Sequence, residues 1–310
     1  MSADLSGKVA LVTGASKGIG RAIAERLAAD GAEVAVHYNR DKEGAAETLE
    51  RIGRGFLIGA ELGVPDDVDG LIAQLESGLD GRPLDILVNN AAAPPAGPIE
   101  TDTVDQFDRL IAVNVRAPYF LIQQALPVLR DGGRIISITS VATRMANPIQ
   151  TSFAMTKGAL ETMTLTLAQS LGARGITVNA VAPGATETDA NAALFETPGL
   201  TDAITALTAL ERLGHAEDVA DVVAFLASDN ARWITGQTID ATGGLFLGPR
   251  VACPHPTAQA HPAAQAPAPP NPPAKPAPPP VGMGGRLGVR LVGEVGDYGL
   301  DSAVVAGAVG

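Results

Sequence analysis

Up to about Gly248 the chain alternates two apolar patterns. Short runs dense in Val, Ile and Leu recur at "VALVTG", "EVAVHY", "GFLIGA", "DILVNN", "RIISITS", "ITVNAVAP" and "QTIDAT". They are too short for helices, and continuous enough for strands buried on both faces. Longer stretches of helical pattern separate them, notably Arg21 to Ala29, Val104 to Leu129, Ser152 to Leu171 and Glu217 to Leu226, the last opened by an acidic first turn. Seven such strands alternating with helices predict an α/β fold: one mainly parallel sheet, doubly wound, with helices on both faces. A single domain over residues 1–248 accommodates all of it, with no separate substrate domain and no internal repeat.

The pattern stops after Gly248. Residues 249–280 hold 13 of the 23 prolines, as in "PAPPNPPAKPAPPP", and such a run supports neither ladders nor helices. The remainder is glycine-rich without a sustained period. Residues 249–310 are therefore expected to be a low-complexity tail, extended or disordered, with docking of a proline-recognising partner as the alternative.

Composition narrows the setting. With 310 residues and 46% hydrophobic content, a sizeable core is within reach. A net charge of −12 opposes unspecific attraction to nucleic acid or anionic lipid. The N-terminus runs straight into an apolar strand without a signal-peptide pattern, and no stretch approaches the roughly 20 apolar residues of a membrane helix. The one cysteine, Cys253, has no disulfide partner and no company of metal-site spacing. The expectation is a cytoplasmic protein without a metal centre, nucleic-acid partner or membrane span.

The chemistry begins at "TGASKGIG", between the first strand and an amphipathic helix. Gly14, Gly18 and Gly20 let the backbone turn tightly and approach a pyrophosphate, whose charge then faces free amides at the helix N-terminus. In that context the loop predicts a dinucleotide site. An acid at the end of the second strand would hold the ribose hydroxyls of NAD, but the strand reads "EVAVHYNR", with His37, Tyr38 and Asn39 there and Arg40 just beyond. Arg40 and Lys17 supply positive charge and no carboxylate opposes them, which favours the 2'-phosphate of NADP. The alternative is that Arg40 is a solvated loop charge.

Taken in order and spacing, these motifs resemble the short-chain dehydrogenase/reductase family, especially its 3-oxoacyl-carrier-protein reductase-like members, over about residues 5–248. "TGASKGIG" resembles the family's TGxxxGxG loop, and the resemblance implies a Rossmann-type fold with NADP (NADPH) held by Gly14, Ser16, Lys17, Gly18, Ile19, Gly20 and Arg40. "NNAA", with Asn90 and Ala91, is similar to NNAG. Glu61 and Leu62 fall at the family's adenine-contacting acid and its apolar neighbour. "PGATET", with Pro183, Gly184, Thr186 and Thr188, is similar to the PGxxxT that grips the nicotinamide amide. Asn114 matches the helix asparagine, Ser140 the active-site serine and Lys157 the lysine of YxxxK.

The tyrosine of that motif is Phe153. Ser140 lies thirteen residues before it, the family's serine-to-tyrosine spacing, so the frame is intact; the longer spacing of related enoyl reductases falls on Gln150. In the family mechanism the tyrosine protonates the carbonyl oxygen, serine polarises it, and lysine holds the nicotinamide ribose and lowers the tyrosine pKa. The asparagine anchors a water that links lysine to solvent. Phenylalanine keeps the ring and loses the proton.

The resemblance therefore implies an NADPH-dependent reductase of ketones or 3-oxoacyl thioesters, slow or assisted by water. A non-catalytic NADP-binding protein, or a Tyr-to-Phe trapping variant of an active reductase, are the alternatives. Among other hydroxyls, Tyr119 is expected in a core, Ser152 points away from Phe153, and Thr156 is expected in helix packing. Leu194, Phe195, Leu200, Ile204 and Leu207 lie in the family's lid segment, where they line an apolar site or pack a lid helix. His215 is read as a surface loop residue. The long helices are similar to those that pair subunits in the family, which implies a homodimer or homotetramer.

Overall fold

The computed structural model describes residues 4–188, 192–245 and 247. The tail expected over 249–310, with Cys253 and Tyr298, and the side chain of Leu194 lie outside the described residues. In chain order the elements are β1 (Val9–Val12), α1 (Gly18–Ala29), β2 (Glu33–Tyr38), α2 (Lys42–Ile52), β3 (Gly55–Gly59), α3 (Asp67–Leu79), β4 (Leu84–Asn89), α4 (Val104–Ile111), α5 (Ala117–Ala125) and β5 (Leu129–Ile138). They continue with α6 (Thr151–Leu171), β6 (Thr177–Pro183), β7 (Thr186–Glu187), α7 (Ala192–Phe195), α8 (Leu200–Leu207), β8 (Gly214–His215), α9 (Ala216–Ala227) and β9 (Thr238–Ala241).

Seven strands form one sheet in the order β3-β2-β1-β4-β5-β6-β9, and every neighbouring pair is parallel. Each corresponds to one of the apolar runs. The reason the inner strands are so apolar is visible in β1. Val9 and Leu11 face a core shared with Leu71 and Leu75 of α3 and Leu121 and Ile122 of α5. Ala10 and Val12 face the opposite core, with Ile23 and Leu27 of α1 and Val219 and Val223 of α9. A strand covered on both sides has no solvent face to make polar. Between β1 and β4 the winding reverses, and a crevice opens at the carboxyl ends of the strands at that switch point.

The single helix expected over Val104 to Leu129 is instead interrupted. α4 ends at Ile111, residues 112–116 form a π-helical turn, α5 follows, and Leu129 already belongs to β5. Pro118 explains the interruption. It has no amide to close an ordinary turn onto the carbonyl of Asn114, four residues earlier, and its ring would collide with that carbonyl. The turn widens, so that the Ala117 amide donates to the Ala112 carbonyl, and Asn114 sits inside the bulge. Pro127 has no amide to donate to the Gln123 carbonyl, and α5 gives way to a turn in which the Val128 amide donates to the Ala125 carbonyl, before the predicted end.

Candidate active site

The glycine loop crosses from β1 to α1 at the switch point. Gly14 has φ +65° and Gly18 φ +55°, and a Cβ on Gly20 would stand 2.2 Å from the Gly14 carbonyl oxygen and 2.5 Å from Asn90 Nδ2. Only glycine permits that approach. Side chains then fasten the loop, three of them at or beside strand ends. Thr13 Oγ1 accepts from the amides of Asn90 and Ala91 at 2.9 and 3.0 Å, and Asn90 Nδ2 donates to the carbonyls of Thr13 and Gly14 at 2.9 and 3.1 Å. The third is His37. α1 begins without a side-chain cap at Lys17, so its first amides stay directed into the crevice.

The sequence pattern put His37 among the residues standing where a ribose-binding acid falls; its ring turns inward instead. It is buried, its Nδ1 accepts from the Gly14 amide at 3.0 Å, and Nε2 lies 3.1 Å from the Ala60 carbonyl. An acceptor at Nδ1 requires the neutral ring with its proton on Nε2, and burial holds the pKa down at about 4, against the pull of the Ala60 hydrogen bond. This loop fastener was missed because a lone histidine at a strand end has no sequence signature for the direction of its ring.

Along the crevice runs a cleft of about 930 Å³. The predicted loop residues Gly14, Ser16, Lys17, Gly18, Ile19 and Gly20 line it, as do Arg40, Leu62, Asn90 and Ala91. At the far end it is lined by Ser140, Phe153, Lys157, Pro183, Gly184, Thr186 and Thr188. Glu61 and Asn114 are not among the lining residues. Glu61 Oε1 accepts from Arg40 Nη2 at 3.0 Å and from Arg109 Nη2 at 3.5 Å. Arg109, which the sequence reading did not single out, lines the cleft itself.

At the far end Phe153 and Lys157 share one face of α6, with Lys157 Nζ 5.3 Å from the centre of the Phe153 ring. The ring is 3% exposed and packs with Leu110 and Ala142. Lys157 is buried too, and its ammonium donates to the Ile138 carbonyl at 3.0 Å. Burial lowers its pKa to about 8. Ser140 Oγ accepts from the Ala142 amide at 3.2 Å, which caps a short turn and leaves the hydroxyl hydrogen available toward the cleft.

Asn114 stands behind these groups. Its Oδ1 accepts from the Ala93 amide at 2.7 Å, and Nδ2 donates to the Ala93 carbonyl at 3.3 Å and to Thr156 Oγ1 at 3.1 Å. Thr156 in turn donates to the Phe153 carbonyl at 2.7 Å, so it links the bulge to α6 beyond its expected packing role.

Other expectations resolve as follows. Tyr119 is not a core residue: it is 49% exposed on α5, edge-on to Phe120, because the face of α5 that carries it is turned away from the sheet. Leu200 and Ile204 are buried against Val141, Ala185 and Leu245, with Phe195 packed on them, whereas Leu207 is 36% exposed. Phe195, Leu200 and Ile204 pack with one another, and neither they nor Leu207 line the cleft. His215 is exposed and caps α9, its amide donating to Asp218 Oδ2 at 2.7 Å. Gln150 and Ser152 are buried off the cleft. Among the described residues no cluster of His, Cys, Asp or Glu has metal-site geometry, and no helix is long and apolar enough to cross a membrane.

Comparison with known proteins agrees with this geometry. A family model described as enoyl-(acyl carrier protein) reductase matches residues 14–246, and the chain belongs to the short-chain dehydrogenase/reductase family. It is 40% identical over 246 residues to the 3-oxoacyl-acyl-carrier-protein reductase of Staphylococcus epidermidis, covering 77% of this chain and 99% of that protein. Versicolorin reductase of Emericella nidulans is 40% identical over 257 residues, or 78% of this chain and 97% of that protein. Among solved structures, the angucycline C-6 ketoreductase LanV with bound NADP is 51% identical at a TM-score of 0.76, covering 80% of this chain and 99% of that one.

Two outcomes follow from the site. Gly20→Ala forces backbone apart at Gly14, so we expect a loss of about 1–3 kcal/mol in unfolding free energy, measured by denaturant titration, together with loss of dinucleotide affinity. Lys157 is charged and poorly solvated at neutral pH. Its folded pKa of about 8 lies below the free value of 10.5, so the folded state binds fewer protons between those limits. Stability therefore rises with pH across that window, and the full penalty, about 3 kcal/mol, applies below pH 8. Lys157→Met is expected to be more stable than the parent at pH 7, by up to that amount, with the gap closing between pH 8 and 10.5 in denaturant midpoints taken without cofactor.

Proposed function

We propose that the protein is an NADPH-dependent carbonyl reductase acting on a ketone or a 3-oxoacyl thioester, and that it is slow because Phe153 stands at the general-acid position. The observation that carries this reading is one cleft with the glycine loop and two cations at one end and Ser140 beside Lys157 at the other. The relatives' names point the same way, since both curated ones are reductases and LanV is a ketoreductase with NADP bound.

The residues fit the cofactor. Amides of the loop and of the α1 N-terminus would face the pyrophosphate, in a turn that Gly14 and Gly20 allow to close. Lys17 and Arg40 take the 2'-phosphate, while Leu62, Asn90 and Ala91 line the adenosine side. Pro183, Gly184, Thr186 and Thr188 take the nicotinamide amide. When bound, NADPH supplies the hydride.

Lys157 holds the nicotinamide ribose. Ser140 donates its free hydroxyl hydrogen to the substrate carbonyl oxygen and stabilises the charge that develops there. Phe153 keeps the apolar wall and offers no proton. Water fed by Lys157 carries the proton that a phenol would supply, with Asn114 holding the helix bulge behind it. A positioned general acid contributes about 10²–10⁴ in rate, so its absence raises the barrier by roughly 3–5 kcal/mol. The close packing of the Phe153 ring against Leu110 and Ala142 favours a second reading, an NADP-binding protein with no catalytic turnover.

The domain is taken to end at residue 248, and the protein to be a cytoplasmic homodimer or homotetramer. Exposed Tyr119 and Phe120 on α5, and Met155 and Leu165 on α6, support pairing through these helices.

Phe153→Tyr is expected to raise kcat by about 10²–10⁴, followed by NADPH oxidation with a panel of ketones and 3-oxoacyl thioesters, and to leave NADPH affinity nearly unchanged. A tyrosine variant that binds NADPH yet reduces nothing on the panel would sink the reductase reading and leave the binding-protein one. Equal rates in both forms would refute the role given to the missing phenol. A chain ending at residue 248 is expected to fold and bind NADPH as the full chain does; insolubility of that form would show the tail to be structural.

A further inference from the structure

Two guanidinium groups converge on one carboxylate oxygen at the adenosine end of the cleft. Glu61 Oε1 lies 3.0 Å from Arg40 Nη2 and 3.5 Å from Arg109 Nη2. The two come from opposite walls: Arg40 follows β2, whereas Arg109 sits in the last turn of α4. Both line the cleft. Arg109 is also pressed close to the backbone below it, since a Cβ on Gly63 would lie 3.1 Å from Arg109 Nη1. The charged groups at this end are Lys17, Arg40 and Arg109 against Glu61 and Asp41. Asp41 is already engaged by the Gly44 amide at the start of α2.

This arrangement creates a competition. Turning Arg40 onto the 2'-phosphate, as the NADP reading above holds, gives up or weakens its Nη2 contact with Glu61. Without Arg109, Glu61 would then be a poorly paired carboxylate at the end of the cleft that takes the phosphate, a repulsion that opposes binding of that group. Arg109 reaches the same oxygen from the other side and stays when Arg40 leaves.

We propose that Arg109 is a specificity-determining positioning residue: by keeping Glu61 paired, it releases Arg40 to the 2'-phosphate and so favours NADPH over NADH. The role is electrostatic and runs through Glu61, without a contact from Arg109 to the cofactor. A dinucleotide lacking the 2'-phosphate leaves the Arg40–Glu61 pair in place and gains nothing from Arg109.

The experiment is fluorescence titration of the full-length protein with NADPH and with NADH, at low and moderate salt, for the parent, Arg109→Leu, Arg109→Lys, Glu61→Gln, the Arg109→Leu/Glu61→Gln double variant and Arg40→Leu. Arg109→Leu is expected to weaken NADPH about three- to fivefold while leaving NADH within twofold, an effect of the size of one partly exposed ion pair and smaller at higher salt. Arg109→Lys, which keeps the charge, recovers most of the loss. In the Glu61→Gln background the Arg109→Leu change is expected to have no effect on NADPH.

Equal loss of NADPH affinity in both backgrounds would mean that Arg109 touches the cofactor directly, which overturns the proposal. Equal loss for NADPH and NADH would show a structural role, with the same consequence. If Arg40→Leu weakens NADPH but Arg109→Leu does not, only this inference falls. If Arg40→Leu leaves NADPH unchanged, the 2'-phosphate reading beneath it falls as well.

Discussion

The backbone at Gly14 and Gly20 closes to a distance that no Cβ tolerates, and the site is arranged around that closure. Because the loop folds so tightly, α1 starts immediately beyond the end of β1, with its first amides at the switch point of the sheet. Three of the fasteners come from adjacent strands: Thr13 from the end of β1, His37 from β2 and Asn90 from the end of β4. The strand order is thus a precondition of the site as well as of the core, since β2 and β4 must flank β1 for His37 and Asn90 to reach the same few atoms. Ala60, which anchors the other nitrogen of His37, extends the arrangement to the end of β3.

How far the chain could be read without coordinates depended on whether a feature is periodic. The inner strands were legible because burial on two faces leaves a dense apolar run, the edge strands β3 and β9 through shorter runs at the same spacing, and the glycine loop because it sits between an apolar strand and an amphipathic helix. Asn114, Ser140, Phe153 and Lys157 were singled out through the resemblance to the family's motifs and their spacing. The helix through Asn114 was read as continuous because its apolar repeat persists across the bulge; Pro118 and Pro127 were the available signals. Ring direction at His37 and the sharing of Glu61 by Arg40 and Arg109 have no periodic trace. They depend on which strands and helices meet in space.

At the reaction end the structure separates two tasks that one lysine usually combines. Lys157 is held by the Ile138 carbonyl and by the face of the Phe153 ring, so its placement does not depend on a phenol. Its ammonium stays buried without a carboxylate, and the resulting drop in pKa brings it close to neutrality. Such a group retains the charge to attract a sugar-phosphate chain and also becomes a better proton source than a solvated lysine. Ser140 meanwhile satisfies its acceptor role within its own turn and keeps a hydrogen to give.

Thr156 has a further consequence. It hangs from the main-chain carbonyl of residue 153, and Asn114 hangs from it and from the backbone of Ala93, so no partner in that chain is a side-chain atom of Phe153. Whether position 153 carries a phenyl or a phenol, these hydrogen bonds are the same. Exchange between phenyl and phenol there is therefore a reversible step in mutational space, with no second residue that must drift first or be repaired afterwards.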